Sequence, residues 1–179
     1  MAMKPIFLIG YMGSGKSTLG RTVSQLTGMP FIDLDTYVEG RYHMSVREIF
    51  DKWGEDGFRQ RERAMLAEVA DFENTLIACG GGTPCFFDNM DVMNAKGITV
   101  WLDTGIDRLH QRLMRGRHKR PLIAGMDSMR LRQFITDSLV KREPYYSKAA
   151  VRFQSDLLDC ETEKAETASR FINEIINRV

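Results

Sequence analysis

The chain has 179 residues, room for one domain, and 43% of them are hydrophobic, enough for a core of two or three layers. Charged residues make up 27%, and 25 Lys and Arg against 24 Asp and Glu leave a net charge of +1, which excludes a disordered chain and any global basic field for a nucleic acid or an anionic membrane. Three cysteines without a CxxC pair argue against a disulfide scaffold or a thiolate metal site and predict a reducing, cytoplasmic setting; no apolar run reaches the length of a membrane span, and Met1–Lys4 is too short for a signal peptide.

Short apolar runs alternate with longer amphipathic ones, the pattern of an α/β domain. Ile6–Ile9 predicts a first strand, followed by a glycine-rich turn and a helix to about Leu26. A second strand, Phe31–Asp35, follows the turn residues Gly28 and Pro30. Residues 36–72 read as helical pieces broken near Gly54 and Gly57. Thr75–Ala78 predicts a third strand, then a triple glycine, a short helix and a fourth strand, Ile98–Leu102. A helix from Ile106 stops near Gly116. Arg117–Met126 has no periodicity and few apolar anchors, the profile of a binding loop or lid. Helix resumes over Ser128–Arg142, Ala150–Phe153 predicts a fifth strand, and Thr162–Val179 a closing helix. The mostly apolar strands suit a parallel sheet covered on both faces.

Gly10-Tyr11-Met12-Gly13-Ser14-Gly15-Lys16-Ser17 matches G-x-x-x-x-G-K-[ST] at every fixed position, between a predicted strand and a predicted helix. With glycine near 7% of residues, a chance match in a chain of this length has a probability of roughly half a percent. Such a loop curls its N–H groups onto phosphate oxygens, with Lys16 on the β and γ phosphates and Ser17 on Mg²⁺. Gly13, Ser14, Gly15 and Thr18 complete the expected ATP contacts. The chain has no Asn-Lys-x-Asp, no Asp-Glu pair ending an apolar strand, and none of the protein-kinase elements. What remains is a small kinase with a small acceptor.

Asp33 and Asp35, two apart at a strand's end, would share one face and border the ligand crevice, suited to Mg²⁺–water and to a hydroxyl proton. Asp35, just before Thr36, also reads as a helix cap. Arg59 and Glu62 share a helical face inside what otherwise looks like a solvated charge run. Gly80-Gly81-Gly82 allows close approach to the backbone and offers N–H groups. Between Arg108 and Arg120 lie six basic residues, two histidines and no acid, with Arg108, Arg112 and Arg115 on one helical face. Without interleaved aromatics this stripe reads as a polyphosphate clamp rather than a nucleic-acid platform.

Taken in order, the phosphate loop, Asp33-Leu34-Asp35, Phe58-Arg59 with Glu62, the triple glycine, Arg120-Pro121-Leu122, and Lys141-Arg142 with Pro144-Tyr145-Tyr146 resemble the shikimate kinases over nearly the whole chain. The resemblance implies a P-loop kinase of the nucleoside-monophosphate-kinase type: one domain over 1–179, with a five-stranded parallel sheet, helices on both faces, a shikimate-binding helical region at about 33–62 and a mobile lid at about 114–126. It implies transfer of the ATP γ-phosphate to the 3-hydroxyl of shikimate, with Mg²⁺, by a cytoplasmic monomer on the route to chorismate. Residue by residue, it implies that Asp35 binds the shikimate hydroxyls and serves as base, and that Asp33 sits near Mg²⁺. Arg59 and Arg142 would pair with the carboxylate, Glu62 would hold Arg59, and Gly81 would donate its N–H between Gly80 and Gly82. Arg120 would reach the transferring phosphoryl group and Arg112 would flank the adenine. Ala78-Cys79 depart from the Ser or Thr common before the triple glycine, which leaves Cys79 as a packed small residue. Ser155–Asp159 lacks the proline that often covers the adenine's other face. Two other readings compete: a gluconate-kinase-like enzyme, which has no need of two arginines on one carboxylate, and a nucleotide-binding regulatory module, which has no need of Asp35, Arg59 and Arg142 as a set.

Overall fold

The computed structural model describes residues 3–178. Strand β1 (Ile6–Ile9) leads through the glycine-rich turn into helix α1 (Lys16–Thr27), which Gly28 ends in the left-handed conformation, φ 75°. Strand β2 (Phe31–Asp33), helices α2 (Leu34–Tyr42) and α3 (Val46–Val69), strand β3 (Leu76–Ala78) and helix α4 (Asn89–Lys96) follow. Strand β4 (Ile98–Asp103), helices α5 (Ile106–Gly116) and α6 (Ser128–Tyr146), strand β5 (Val151–Gln154) and helix α7 (Glu161–Glu174) complete the chain.

The five strands form one parallel sheet in the order β2-β3-β1-β4-β5. Alternation along β1 splits the core: Phe7 and Ile9 face one apolar cluster with Leu34, Leu66, Leu113 and Leu131, while Ile6 and Leu8 face another with Leu19, Val23 and Phe171. Helices therefore cover both faces, as the apolar strands predict. The sheet order reverses at β1, so the crevice beyond its carboxyl end is the natural ligand site.

Of the predicted boundaries that move, two matter for the site. Strand β2 ends at Asp33 rather than Asp35, because the Asp33 carboxylate accepts the Thr36 N–H (3.4 Å) and starts α2. Asp33 is the helix cap, and Asp35 lies in the first helical turn rather than on a strand face. Helix α6 continues through Pro144 to Tyr146 instead of stopping near Arg142. That extra turn carries Tyr146 into the core at 0% exposure. The break expected near Gly54 and Gly57 is a kink at Gly54 alone (φ 67°, ψ −174°) inside α3, whose start is secured by a Ser45–Glu48 capping box.

Candidate active site

The phosphate loop joins β1 to α1 through residues that only glycine accommodates well. Gly15 takes φ 92° at the start of α1, and a Cβ there would collide with Leu158. Lys16 arches back over the loop, its Nζ donating to Gly10 O (2.8 Å) and Tyr11 O (2.9 Å). Burial pushes its pKa down to about 8, against the opposing pull of the Asp35 carboxylate. Ser17 Oγ donates to Asp33 Oδ2 at 2.6 Å, which ties the loop to the end of β2. Ser14 is nearly fully buried, and its carbonyl accepts from Ser155 Oγ (3.2 Å), so it anchors the loop from beneath.

A cavity of about 450 Å³ opens over this loop. Gly13, Gly15, Lys16, Ser17 and Thr18 form one wall, and Asp33, Asp35, Gly80 and Gly81 form the acceptor end. Arg112, Arg120, Leu158 and Asp159 close the remaining side. Burial, reinforced by the neighbouring charges of Glu62 and Asp33, raises the Asp35 pKa to about 6. Ser17 and Asp33 offer hard oxygen donors. Among the described residues no group of three or more His, Cys, Asp or Glu forms a closed metal cage. An incomplete oxygen set of this kind fits Mg²⁺, which takes one or two protein ligands and fills its octahedron with phosphate oxygens and water.

The triple glycine explains how the acceptor end is assembled. A Cβ at Gly80 would lie 3.1 Å from Asp35 Oδ1 and 3.1 Å from Glu62 Oε1. One at Gly81 would lie 3.2 Å from Arg142 Nη1 and 3.4 Å from Gly10 O of the phosphate loop, and one at Gly82 only 2.6 Å from Arg59 Nη2. None of the three has a positive φ, so space, not backbone freedom, is what they supply. Two guanidinium groups and two carboxylates thus rest on three consecutive glycines, of which Gly81 abuts the phosphate loop.

Arg59 is fixed on several sides. Its Nη1 donates to Glu62 Oε2 (2.9 Å), its Nη2 to Glu55 Oε1 (3.2 Å), and the Phe86 ring lies 4.1 Å from its Cζ. The apparent charge run of α3 therefore contains two residues, Arg59 and Glu62, that point inward, with Glu62 at 0% exposure. Tyr146 enters the sequence reading only as the end of the Pro144-Tyr145-Tyr146 element, without a role, yet its hydroxyl donates to Gly81 O (2.6 Å) and its ring packs on Trp101. Only the helical extension through Pro144 puts it there.

The basic stripe is not a free positive patch. Arg108, Arg112 and Arg115 all converge on Asp159, at 3.9, 3.2 and 3.7 Å, an acid from the far end of the chain. Arg112 also donates to Gly13 O (3.2 Å) and Asp156 O (2.6 Å), so it clamps the phosphate loop to the segment after β5. Leu158 packs directly against Gly15 of the loop and adds an apolar side chain to the cavity lining beside Arg112. Arg120 reaches the cavity edge while its Nη1 donates to Gly116 O (3.2 Å). Its stretch is better anchored than composition suggests, since Ile123 is fully buried in the core. Cys79 packs as expected, its thiol 3.7 Å from Met93 Sδ and raised in pKa by burial.

The model of the shikimate kinase family matches residues 12–177. The shikimate kinases of Parabacteroides distasonis and Phocaeicola vulgatus are each 50% identical to this chain, over 90% of it and 93% of the former, and 88% of it and 90% of the latter. The crystal structure of shikimate kinase from Bacteroides thetaiotaomicron superposes with a TM-score of 0.93 at 44% identity, covering 99% of this chain and all of that one. That of the Acinetobacter baumannii enzyme in complex with shikimate gives 0.83 at 30% identity, covering 98% and 94%. On sequence and architecture together, the chain belongs to the shikimate kinase family.

Proposed function

We propose that this protein transfers the γ-phosphoryl group of ATP to the 3-hydroxyl of shikimate. The observation that carries the reading is the seating of Arg59 and Arg142 on Gly82 and Gly81, with Asp35 against the adjoining Gly80 and the phosphate loop against Gly81. Two guanidinium groups suit a carboxylate, which they bind through charge-assisted hydrogen bonds. Holding the acid end there turns the ring hydroxyls toward Asp35 and the γ-phosphate. The hydroxyl oxygen forms its bond to γ-phosphorus, the bond to the bridging oxygen breaks, ADP leaves, and the hydroxyl proton passes to Asp35. With a loose transition state, much of the work of Asp35 is orientation of the hydroxyl.

Lys16 neutralises the β and γ phosphates, and Gly13, Ser14, Gly15 and Thr18 shape the loop around them. Ser17 and Asp33 would hold Mg²⁺, which would offset the negative charge of the ATP phosphates. Arg112 and Leu158 flank the adenine. Arg120, on a lid at about 114–126, swings to the transferring phosphoryl group and excludes water as the lid closes. Gly81 donates its N–H to the substrate, while Tyr146 holds the carbonyl on the other side of its Cα. Every group comes from one chain, which suits a monomer, and Cys79, Cys85 and Cys160 are unpaired thiols, which suits the cytoplasm.

Calorimetry separates this reading from a gluconate-kinase-like one. Arg59→Ala and Arg142→Ala should each lose about 1.5–3 kcal/mol of shikimate binding, roughly 10- to 150-fold, with ATP affinity little changed. Unchanged shikimate affinity in both variants, or stronger ADP release with gluconate than with shikimate, contradicts it.

A further inference from the structure

Glu62 uses both carboxylate oxygens, and only one goes to Arg59. The other, Oε1, accepts a 2.5 Å hydrogen bond from Thr83 Oγ1, and both residues have 0% exposure. Thr83 is itself held firmly. Its N–H donates to Gly80 O (3.1 Å), its carbonyl accepts from the buried Asn89 Nδ2 (2.8 Å), and Pro84 restricts its backbone. A threonine in a short helix commonly turns its hydroxyl onto its own backbone, and here it is spent on a buried carboxylate instead.

The position matters because Glu62 Oε1, Asp35 Oδ1 and Thr83 Oγ1 all lie 3.0–3.1 Å from one point, the place a Cβ on Gly80 would occupy. Two carboxylates that close repel each other, and the Thr83 proton holds one of them in place. With Oε1 pinned, Oε2 stays aimed at Arg59 Nη1. Without it, Glu62 can turn, and Arg59 keeps only Glu55, on the exposed side, as an ionic partner.

We propose that Thr83 is a positioning residue for the acceptor carboxylate: its hydroxyl orients Glu62, which orients Arg59. The inference rests on the assignment of Arg59 to the shikimate carboxylate. It predicts a split between the two substrates. Thr83→Val, equal in shape but without the hydroxyl, should raise the KM for shikimate about tenfold, with the KM for ATP unchanged and kcat within about threefold. Thr83→Ser, which keeps the donor, should restore the wild-type KM within about twofold. If Thr83→Val does not fold, Thr83→Cys, with a similar size and a weak thiol donor, should show at least a threefold rise. A lowered melting temperature with an unchanged shikimate KM in the folded Val or Cys variant makes Thr83 merely structural and overturns the proposal. Wild-type protein without shikimate-dependent ADP release contradicts the reaction itself, and this role with it.

Discussion

Asp35 and Lys16 lie close enough to bias each other's protons, and burial moves their pKa values toward each other, to about 6 and about 8. Below about pH 6 Asp35 is protonated and cannot accept from a hydroxyl; above about 8 Lys16 loses the charge that faces the phosphates. The pH profile of kcat/KM, which reports the free enzyme, should therefore be a bell with limbs near these values. Asp35→Asn should lower kcat/KM by about 10²–10⁴-fold and remove the acid limb, and an unmoved limb would assign it to another group. The same carboxylate should cost stability. Its folded pKa is raised above the usual 3.8, so the penalty is full above about pH 6 and gone below about 4. Thermal melts should show Asp35→Asn more stable than wild type at pH 8 and no more stable at pH 4; the reverse order would mean that the charge is well compensated.

At the scale of elements, the turn after β3 does the assembling. Gly82→Ala would bring a Cβ to 2.6 Å from Arg59 Nη2, and the long arginine can yield by swinging away. The fold should survive, shikimate affinity should fall roughly tenfold, and ATP affinity should hold; an unchanged shikimate titration would show that Arg59 has room to spare. The phosphate loop, β1 and α5 were legible from the sequence because fixed glycines and strong periodicity are local signals. The end of β2 was not, since two aspartates in an apolar run look the same on a strand as at a helix start, and only the Asp33 cap decides. Tyr146 was hidden behind Pro144, whose usual effect is to end a helix. The Arg108–Arg115 stripe looked free because its partner, Asp159, is more than forty residues away. Thr83 carried no signal, because a buried hydroxyl is indistinguishable in sequence from any other threonine after a turn.

For the whole molecule, the parallel sheet brings the ends of β1, β2 and β3 to one rim, so donor and acceptor sites share a wall at Gly81 and Gly10. The segment at about 114–126 is proposed to close over them, with Ile123 as a fixed anchor and Arg120 as the moving contact. Hydrogen exchange across Met114–Met126 should slow when ATP and shikimate are both present, and Arg120→Ala should lower kcat on the order of 10³-fold. Full protection without ligands, together with an active Arg120→Ala enzyme, would make the stretch an ordinary loop. The most direct measurement is the identity of the product. Protein incubated with ATP, Mg²⁺ and shikimate, followed by ³¹P–¹H correlation NMR, should show one new phosphate monoester coupled to the proton on C3 of the shikimate ring. A phosphate on another hydroxyl, or ADP and inorganic phosphate with no phosphorylated shikimate, would contradict the account.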